Sequence, residues 1–321
     1  MIKVINPDVE IWHQKGFALE DIWEHIARCA RVCYQSTPKN KDEDDYHFLV
    51  RTLFRGKDIL NEELNQDDII KTHLSVCEHG TVHLKFHGML SSSFSIFESV
   101  FKHNKYSNYC IKGEYIYVTT NMRVLIENNI LNIIGHIDKT PNCPYYEKRI
   151  TASFITDIGI SRELNRHRCH SISEESTRYC AYDKDKFGGN ITVIKLPWIP
   201  YKDDESRNSY EAGMFLDEEI LDSEGFLPNR YTKGWSAVDW YIYGLQIANL
   251  VYQKTRELGW TAQQAREILP LNTKTQVVHT AFISDWNHWI ALRADGASGT
   301  PHPCIHEVAV KLKKLINYYV R

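Results

Sequence analysis

Arg166-His167-Arg168-Cys169-His170-Ser171-Ile172-Ser173-Glu174-Glu175-Ser176-Thr177-Arg178-Tyr179, or RHRCHSISEESTRY over residues 166–179, crowds arginines, histidines and hydroxyls into one short stretch. Before it, Ile150 to Thr156 reads as a strand, and Gly159 opens a helical stretch carrying Arg162, Glu163, Arg166, His167 and Arg168. Arginine's planar fork suits phosphate oxygens and the edges of planar heterocycles, and serine hydroxyls with loop N–H groups can complete a phosphate cradle. The competing reading is a solvated basic helix end, with Glu163, Glu174 and Glu175 as its ion-pair partners.

Working outward, Leu19 to Cys33 places Leu19, Ile22, Trp23, Ile26, Ala30 and Cys33 on one helical stripe. Thr81 to His87 alternates like a strand, Gly88 to Ser93 reads as a turn-rich break, Glu114 to Thr119 as a strand and Met122 to Asn128 as a helix. Ile191 to Leu196 and Gln276 to Ile283 are strand-like. Ser236 to Leu258 is the longest helical pattern, and Thr261 caps a short helix that Pro270 ends. Ser284 to Ala294 is helical, and Ile305 to Tyr319 is a closing amphipathic helix. Lys39 to Asp45 and Asp138 to Pro144 read as loops, and Lys202 to Arg207 as a charged, exposed run. Helices and strands interleave without a regular βαβ rhythm, which predicts an α+β fold with a mixed or antiparallel sheet and packed helices.

The 321 residues, 43% hydrophobic and 25% charged, suit a globular chain with a sizeable core. A formal net charge of −3 gives no general pull towards nucleic acid or anionic membrane, so any bound anion must be held by a local cluster of cations. No pair among the eight cysteines forms CxxC, no leading segment resembles a signal peptide, and no apolar run approaches a membrane span. The expectation is a cytoplasmic protein with reduced thiols. No GxGxxG motif marks a Rossmann site.

RHR followed by seven residues and Ser176 resembles the signature of the flavin-dependent thymidylate synthases. His73 to His79, HLSVCEH, is similar to that family's HxSxxEH element, Gln264 to Pro270 to its QARxxLP element, and Ser284 to Asp295, SDWNHWIALRAD, to the segment that ends in the arginine facing uracil. The elements follow the family's order. Two departures stand out: an insertion from about Gly88 to Arg149, and Phe282 and Ser284 at the positions of the family's Asn-x-Arg flavin contact. The resemblance implies methylation of dUMP to dTMP, with 5,10-methylenetetrahydrofolate as carbon donor and FAD, reduced by NADPH, as reductant. It implies a homotetramer with active sites between subunits, no metal, no nucleic acid partner and no membrane partner. The implied catalytic residue is Arg293. The implied dUMP ligands are Glu163, Arg166, Glu174, Glu175, Ser176, Thr177, Arg178, Arg266 and Arg293. The implied FAD ligands are His73, Ser75, Glu78, Arg166, His167, Arg168, Glu174 and His288. The whole chain, 1–321, is then one catalytic domain with 88–149 packed on it.

The residues bear on these roles independently. Trp286, Trp289 and Ile290 form the apolar stripe of the Ser284 helix, and Arg293, two turns beyond Trp286, falls on the same inward side. An inward arginine needs a partner, either a developing anion on a substrate or simply a core-edge Glu or Asp. Nothing in the sequence supplies Ser176 with the base and orienter of a triad, so it reads as a ligand. Cys169 and Cys180 lie nearby and offer the alternative of a thiol nucleophile. A metal hydrolase is suggested by fifteen histidines, but His83 and His87 sit four apart on a strand and HExxH is absent. An RNA-binding module lacks aromatics interleaved with Arg166, Arg168 and Arg178. In the insertion, Phe97, Val100 and Phe101 share a face, and Tyr106, Tyr109, Tyr115 and Tyr117 are too many aromatics for a disordered loop. It is expected to form a surface layer that extends the subunit interface or covers the flavin edge.

Overall fold

The apolar stripe that begins at Leu19 becomes helix α1, Leu19–Tyr34, in the computed structural model, which describes residues 2–36, 43–62, 65–88, 90–140, 142–199 and 234–320. Ile22, Trp23, Ile26 and Ala30 are buried on its inner face. Glu20 and Asp21 place negative charge at the helix N-terminus, and Gln35, with φ 46, ends it in the left-handed conformation. Lys202 to Arg207 lies outside the described residues. Asp44 caps helix α2, Asp45–Thr52, so Asp45 is helical, and residues 39–42 of the expected loop lie outside the described residues.

Two compact units are distinguished along the chain. The larger comprises Val9–Phe154, Glu163–Glu175 and Gln276–Arg321. The smaller comprises Met1–Asp8, Ile155–Arg162 and Ser176–Thr275.

In the larger unit, α1 packs into one core with a three-stranded antiparallel sheet. Its strands are β3 (Thr81–His87), β4 (Asn108–Lys112) and β5 (Tyr115–Asn121), in the order β3-β5-β4, with Leu84 opposite Val118 and Tyr117 opposite Cys110. Strand alternation puts Val82, Leu84, Phe86, Ile116 and Val118 on the core face. Residues 88–149 are therefore no outer layer. They supply the central strand of this sheet, and the helix after it, Met122–Glu127, buries Met122, Val124, Leu125 and Ile126 in the same core. The expected turn-rich break at Gly88 to Ser93 is also shorter than the sequence suggests. A helix, α3, starts at Ser91, runs to Ile96 and continues as a wider turn over Phe97–Phe101, burying Phe97 and Phe101 as their spacing requires.

A four-stranded sheet, lying mainly in the larger unit, has the order β2-β6-β9-β7. Its strands are β2 (Asp8–Trp12), β6 (Arg149–Asp157), β7 (Ser171–Glu174) and β9 (Lys274–Phe282), and β7 runs antiparallel to β9. Two helices close the chain. The helix Ile283–Arg293 buries Trp286 and Trp289 completely, and Pro303–Val320 buries Ile305, Val308, Ala309, Leu312 and Ile316 at helical spacing.

In the smaller unit, β1 (Lys3–Ile5) pairs parallel with β8 (Thr192–Ile194). The long helix Ala237–Glu257 is capped by Ser236, whose hydroxyl and the Asp239 carboxylate form a capping box, and it buries Leu245 and Tyr252 against Val4, Tyr182 and Val193. Thr261 caps Ala262–Ala265, which tightens to a 3₁₀ turn over Arg266–Ile268 before Pro270. The mixture of parallel and antiparallel pairs with packed helices is the expected α+β class. No described helix is long and apolar enough to cross a membrane.

Leu125 is wholly buried and Ile111 is 58% exposed, and both lie in the 88–149 segment. Leu125→Ala should lower unfolding stability by about 2–5 kcal/mol, whereas Ile111→Ala should change it by less than about 0.5 kcal/mol. Urea unfolding followed by tryptophan fluorescence measures both. An unchanged midpoint for Leu125→Ala would mean that the segment stands outside the main core.

Candidate active site

The helix that opens β6's sequel, Ile158–Leu164, ends two residues before the cationic triplet. The expected helical placement of Arg166, His167 and Arg168 is thus corrected. The N–H groups of His167 and His170 bond three residues back, to Leu164 (3.2 Å) and His167 (3.0 Å), so the triplet occupies a tight turn. The Asn165 amide donates to Glu174 Oε2 at 3.0 Å, folding residues 165–174 back on themselves before β9 captures β7. Arg166 and Arg168 are left exposed, and neither makes an ion pair among the described residues.

His167 instead turns inward. The helix Ile283–Arg293 is fixed by Trp286, whose indole N–H donates to the Ile150 carbonyl at 2.9 Å. One turn beyond Trp289, Arg293 donates from Nη1 to Glu163 Oε2 at 3.0 Å and from Nε to His167 Nε2 at 3.3 Å. Of the two sequence readings of Arg293, the carboxylate partner is present as Glu163, and the side chain also faces the RHR turn. Accepting from Arg293 requires a neutral His167 ring with its proton on Nδ1. Burial and the guanidinium both act against a second proton and hold the His167 pKa down to about 4. Burial likewise pushes His170 down to about 3, and His279, 3.1 Å away between Nδ1 atoms, lies well below the ordinary range. The His170 ring lies tilted 4.5 Å from that of Trp286, and His288 lies exposed 6.5 Å from His167. The result is a buried cluster of neutral imidazoles and indoles, His167, His170, His279, Trp286 and Trp289, with one partly accessible guanidinium beside it. Such a cation is poised to stabilise negative charge developing on a bound ring.

The HLSVCEH element is a 3₁₀ turn, Leu74–His79, preceded by His73. His73 and Ser75 are exposed, while Glu78 and His79 are buried. Glu78 Oε1 accepts from Arg123 Nη1 at 2.5 Å, and His79 bonds Thr280 Oγ1 (2.7 Å) and Ser173 Oγ (2.9 Å). Glu175 is buried and accepts from the Gln35 amide at 3.4 Å. Exposed imidazole and hydroxyl groups at His73, Ser75 and His288, together with the unpaired cations Arg166 and Arg168, suit an anionic, hydrogen-bonding cofactor. At the two departing positions, Ser284 Oγ donates to Glu147 Oε1 at 2.6 Å and the Phe282 ring lies 5.5 Å from the Arg149 guanidinium. Arg123, Glu147 and Arg149 carry no motif and escaped sequence reasoning. Their partners lie far away in sequence.

Ser176, Thr177, Arg178 and Arg266 belong to the smaller unit. There Ser176 opens a turn, its carbonyl accepting from Tyr179 (3.1 Å) and Cys180 (2.9 Å). Arg266 Nη1 donates to Thr177 Oγ1 at 3.4 Å, and Arg178 Nε to Gln263 Oε1 at 3.0 Å, which adds Gln263 to this cationic group. Among the described residues no imidazole or carboxylate bonds Ser176 Oγ, so no triad forms. The cysteine alternative fares no better. Cys180 is wholly buried, and desolvation with the neighbouring Asp285 pushes the Cys169 thiol up to about 11, leaving little thiolate at neutral pH.

Comparison with known proteins adds an independent line. The family described as "Thymidylate synthase complementing protein" matches residues 144–317, just over half of the chain. A flavin-dependent thymidylate synthase from Synechocystis sp. is 25% identical over 171 residues, covering 52% of this chain and 65% of that protein. A probable flavin-dependent thymidylate synthase from Paramecium bursaria Chlorella virus 1 is 26% identical over 156 residues, covering 48% of this chain and 60% of that one. The match thus spans less than two thirds of either relative. A solved UMP/dUMP methylase PolB from Streptomyces cacaoi, bound with 5-Br UMP, aligns over 98% of this chain and 90% of its own, at 14% identity and a TM-score of 0.39.

The His167–Arg293 contact makes a pH prediction. A histidine pKa depressed from 6.5 to about 4 contributes stability that is complete above 6.5 and is lost as pH falls through that window. In a histidine-resolved NMR titration, His167 should stay neutral down to about pH 4, and Arg293→Ala should move its midpoint upwards. A wild-type midpoint near 6.5, or one that Arg293→Ala leaves in place, would contradict the arrangement.

Proposed function

Since the chain belongs to the thymidylate synthase complementing protein family, the flavin-dependent thymidylate synthases, we propose that it converts dUMP to dTMP by reductive methylation. 5,10-Methylenetetrahydrofolate donates the carbon, NADPH-reduced FAD supplies the electrons, and tetrahydrofolate leaves. The observation that carries this reading is Arg293, held by Glu163 against the neutral ring of His167.

Uracil C5 attacks carbon poorly while the ring is neutral. A guanidinium at O4 or N3 favours the electron-rich form, and a weakly polar surround strengthens that effect. Holding Arg293 by one carboxylate fixes its direction and leaves N–H groups for the nucleotide. The transferred carbon arrives at the formaldehyde level and replaces the C5 proton, so a methyl group needs two further electrons. FAD, when bound, supplies them as a hydride equivalent. Arg166, Glu174, Glu175, Ser176, Thr177, Arg178 and Arg266 hold dUMP, with Glu163 at its base. Ser176 acts as a ligand with no covalent role. His73, Ser75, Glu78, Arg166, His167, Arg168, Glu174 and His288 receive FAD. The reading takes 1–321 as one catalytic domain, 88–149 included, working in the cytoplasm as a homotetramer with active sites between subunits.

Anaerobic incubation with dUMP, methylenetetrahydrofolate, FAD and NADPH, scored for dTMP, tests the reading. Arg293→Ala should cut the rate by about 10² or more while FAD stays bound. Normal dTMP formation by that variant would remove Arg293 from the chemistry, and no dTMP from the wild type would overturn the function.

Ser176→Ala should weaken dUMP binding and still turn over. Complete loss of turnover with dUMP affinity unchanged would instead assign Ser176 a covalent role.

A further inference from the structure

The three-stranded sheet has an open edge. β5 lies between β3 and β4, and among the described residues no strand pairs with β4 on its far side. Which backbone groups face that edge follows from the ladder. The Gly88 N–H bonds the Glu114 carbonyl and the Met122 N–H the Gly80 carbonyl, so the even-numbered residues of β5 are the ones that bond β3. Its odd-numbered residues, Tyr115, Tyr117 and Thr119, therefore bond β4, where they stand opposite Lys112, Cys110 and Asn108. The N–H and C=O groups of Tyr109 and Ile111 are left pointing outwards. The Tyr109 N–H turns to the nearest acceptor, the side chain of Asn108, at 2.6 Å.

The side chains at this edge are ones that a free edge avoids. Ile111 is 58% exposed, Tyr109 39%, and Phe94, whose ring leads through Phe97 to Tyr109, 43%. Free edges are ordinarily blunted by charge or by a bulge. The one charge on β4 is Lys112, which makes no ion pair among the described residues. At the other end of the strand, Asn108 donates to Glu147, which also accepts from Ser284 Oγ and likewise has no ion-pair partner among the described residues. Asn108, Cys110 and Lys112 share one face of the sheet, and Tyr109 and Ile111 share the other.

We propose that β4 pairs antiparallel with β4 of a second copy of this chain, about a two-fold axis at Cys110. In that register Tyr109 of each copy faces Ile111 of the other. The two residues exchange both N–H···O bonds, which uses all four outward groups of each strand. Facing side chains lie on the same face, so Tyr109 and Ile111 pack across the seam with Phe94 alongside. On the opposite face, Lys112 of each copy comes beside the Asn108–Glu147 pair of the other, an opposite-charge contact made twice. A lysine on an edge usually deters pairing, but here the two-fold sets it against a carboxylate and not against itself. Moving the axis to residue 109 or 111 would face only one outward residue with its counterpart and would take Lys112 away from Asn108. Five residues a strand bury less than a stable dimer needs alone, so the seam is a reversible contact that is read by trapping it. It uses no part of the proposed reaction and stands or falls apart from dTMP formation.

Cys110 reports the register. At the two-fold it faces its own counterpart in a non-hydrogen-bonded pair, with Cα atoms about 4.5 Å apart and within disulfide reach. Copper–phenanthroline in air oxidises two such thiols to a disulfide, with two protons released and two electrons passed to oxygen. Applied to the full chain at high concentration, it should give a covalent dimer whose linked peptides, identified by mass spectrometry, are predominantly Cys110–Cys110. Cys110→Ser should abolish that dimer. Ile111→Pro removes an outward N–H and spares the bonds to β5, and Lys112→Glu brings like charges together at both ends of the seam. Each should slow Cys110 linkage about tenfold, and the swap Lys112→Glu with Glu147→Lys should recover most of the rate. Melting followed by circular dichroism establishes that each variant is folded, and should Ile111→Pro fail there, Lys112→Glu and the swap decide. The proposal is overturned if no Cys110–Cys110 peptide forms, or if links to Cys143 and Cys169 are as abundant, which marks random collision. It is also overturned if the folded variants link as fast as wild type, or if the charge swap recovers nothing.

Discussion

His79 is wholly buried, and burial drives its pKa far below the ordinary value, so the ring is neutral. A neutral imidazole has one donor and one acceptor nitrogen, and here each finds a hydroxyl, Thr280 Oγ1 on β9 and Ser173 Oγ on β7. Thr280 Oγ1 lies 2.7 Å from Thr151 Oγ1 on β6, which in turn lies 2.9 Å from His25 Nε2 on α1. Five polar groups thus form one hydrogen-bonded chain through the core of the larger unit. Leaving any of these buried groups without a partner would cost about 1–3 kcal/mol, which fixes the register among three strands and a helix. The 3₁₀ turn ending in His79 is carried with it, so Ser75 and Glu78 take their positions from the core.

Around that anchor, three arginines solve the problem of a desolvated charge in different ways. Arg293 takes one carboxylate, Glu163, and leans on a neutral imidazole, so its charge is oriented without being smothered. Arg123 is shared between Glu78 and Glu127 and makes the acid in the HLSVCEH element electrically quiet. Arg149 donates to neutral acceptors, with the charges of Glu78 and Asp285 acting on it from further off. The chain's overall charge of −3 hides all of this, because its local cations sit among groups chosen to leave some of them available.

Periodicity made most elements legible. The α1 stripe, the Thr81–His87 strand and the Trp286–Trp289 face each alternate or repeat strongly enough to announce their type. The triplet at Arg166 to Arg168 was misplaced because a helical pattern does not show where i→i−4 bonding tightens to i→i−3, and the closing bond comes from Asn165 to Glu174. Aromatic content showed that 88–149 folds, but not that β5 would sit in the middle of its sheet, since a strand's neighbours are a tertiary fact. The resemblance named Glu163, His167 and Arg293 separately. Nothing in one sequence told that Glu163 and Arg293, 130 residues apart, would meet. Arg123 and Arg149 had no motif to mark them, and only their partners make them visible.

The visible absorption spectrum of the protein, loaded with FAD, freed of excess cofactor and then given NADPH without oxygen, tests the central claim most directly. The account predicts the bands of an oxidised, protein-bound flavin that bleach on NADPH addition and return when dUMP and methylenetetrahydrofolate are supplied. A protein that retains no flavin, or whose bound flavin is reduced but never reoxidised by those two substrates, would contradict it.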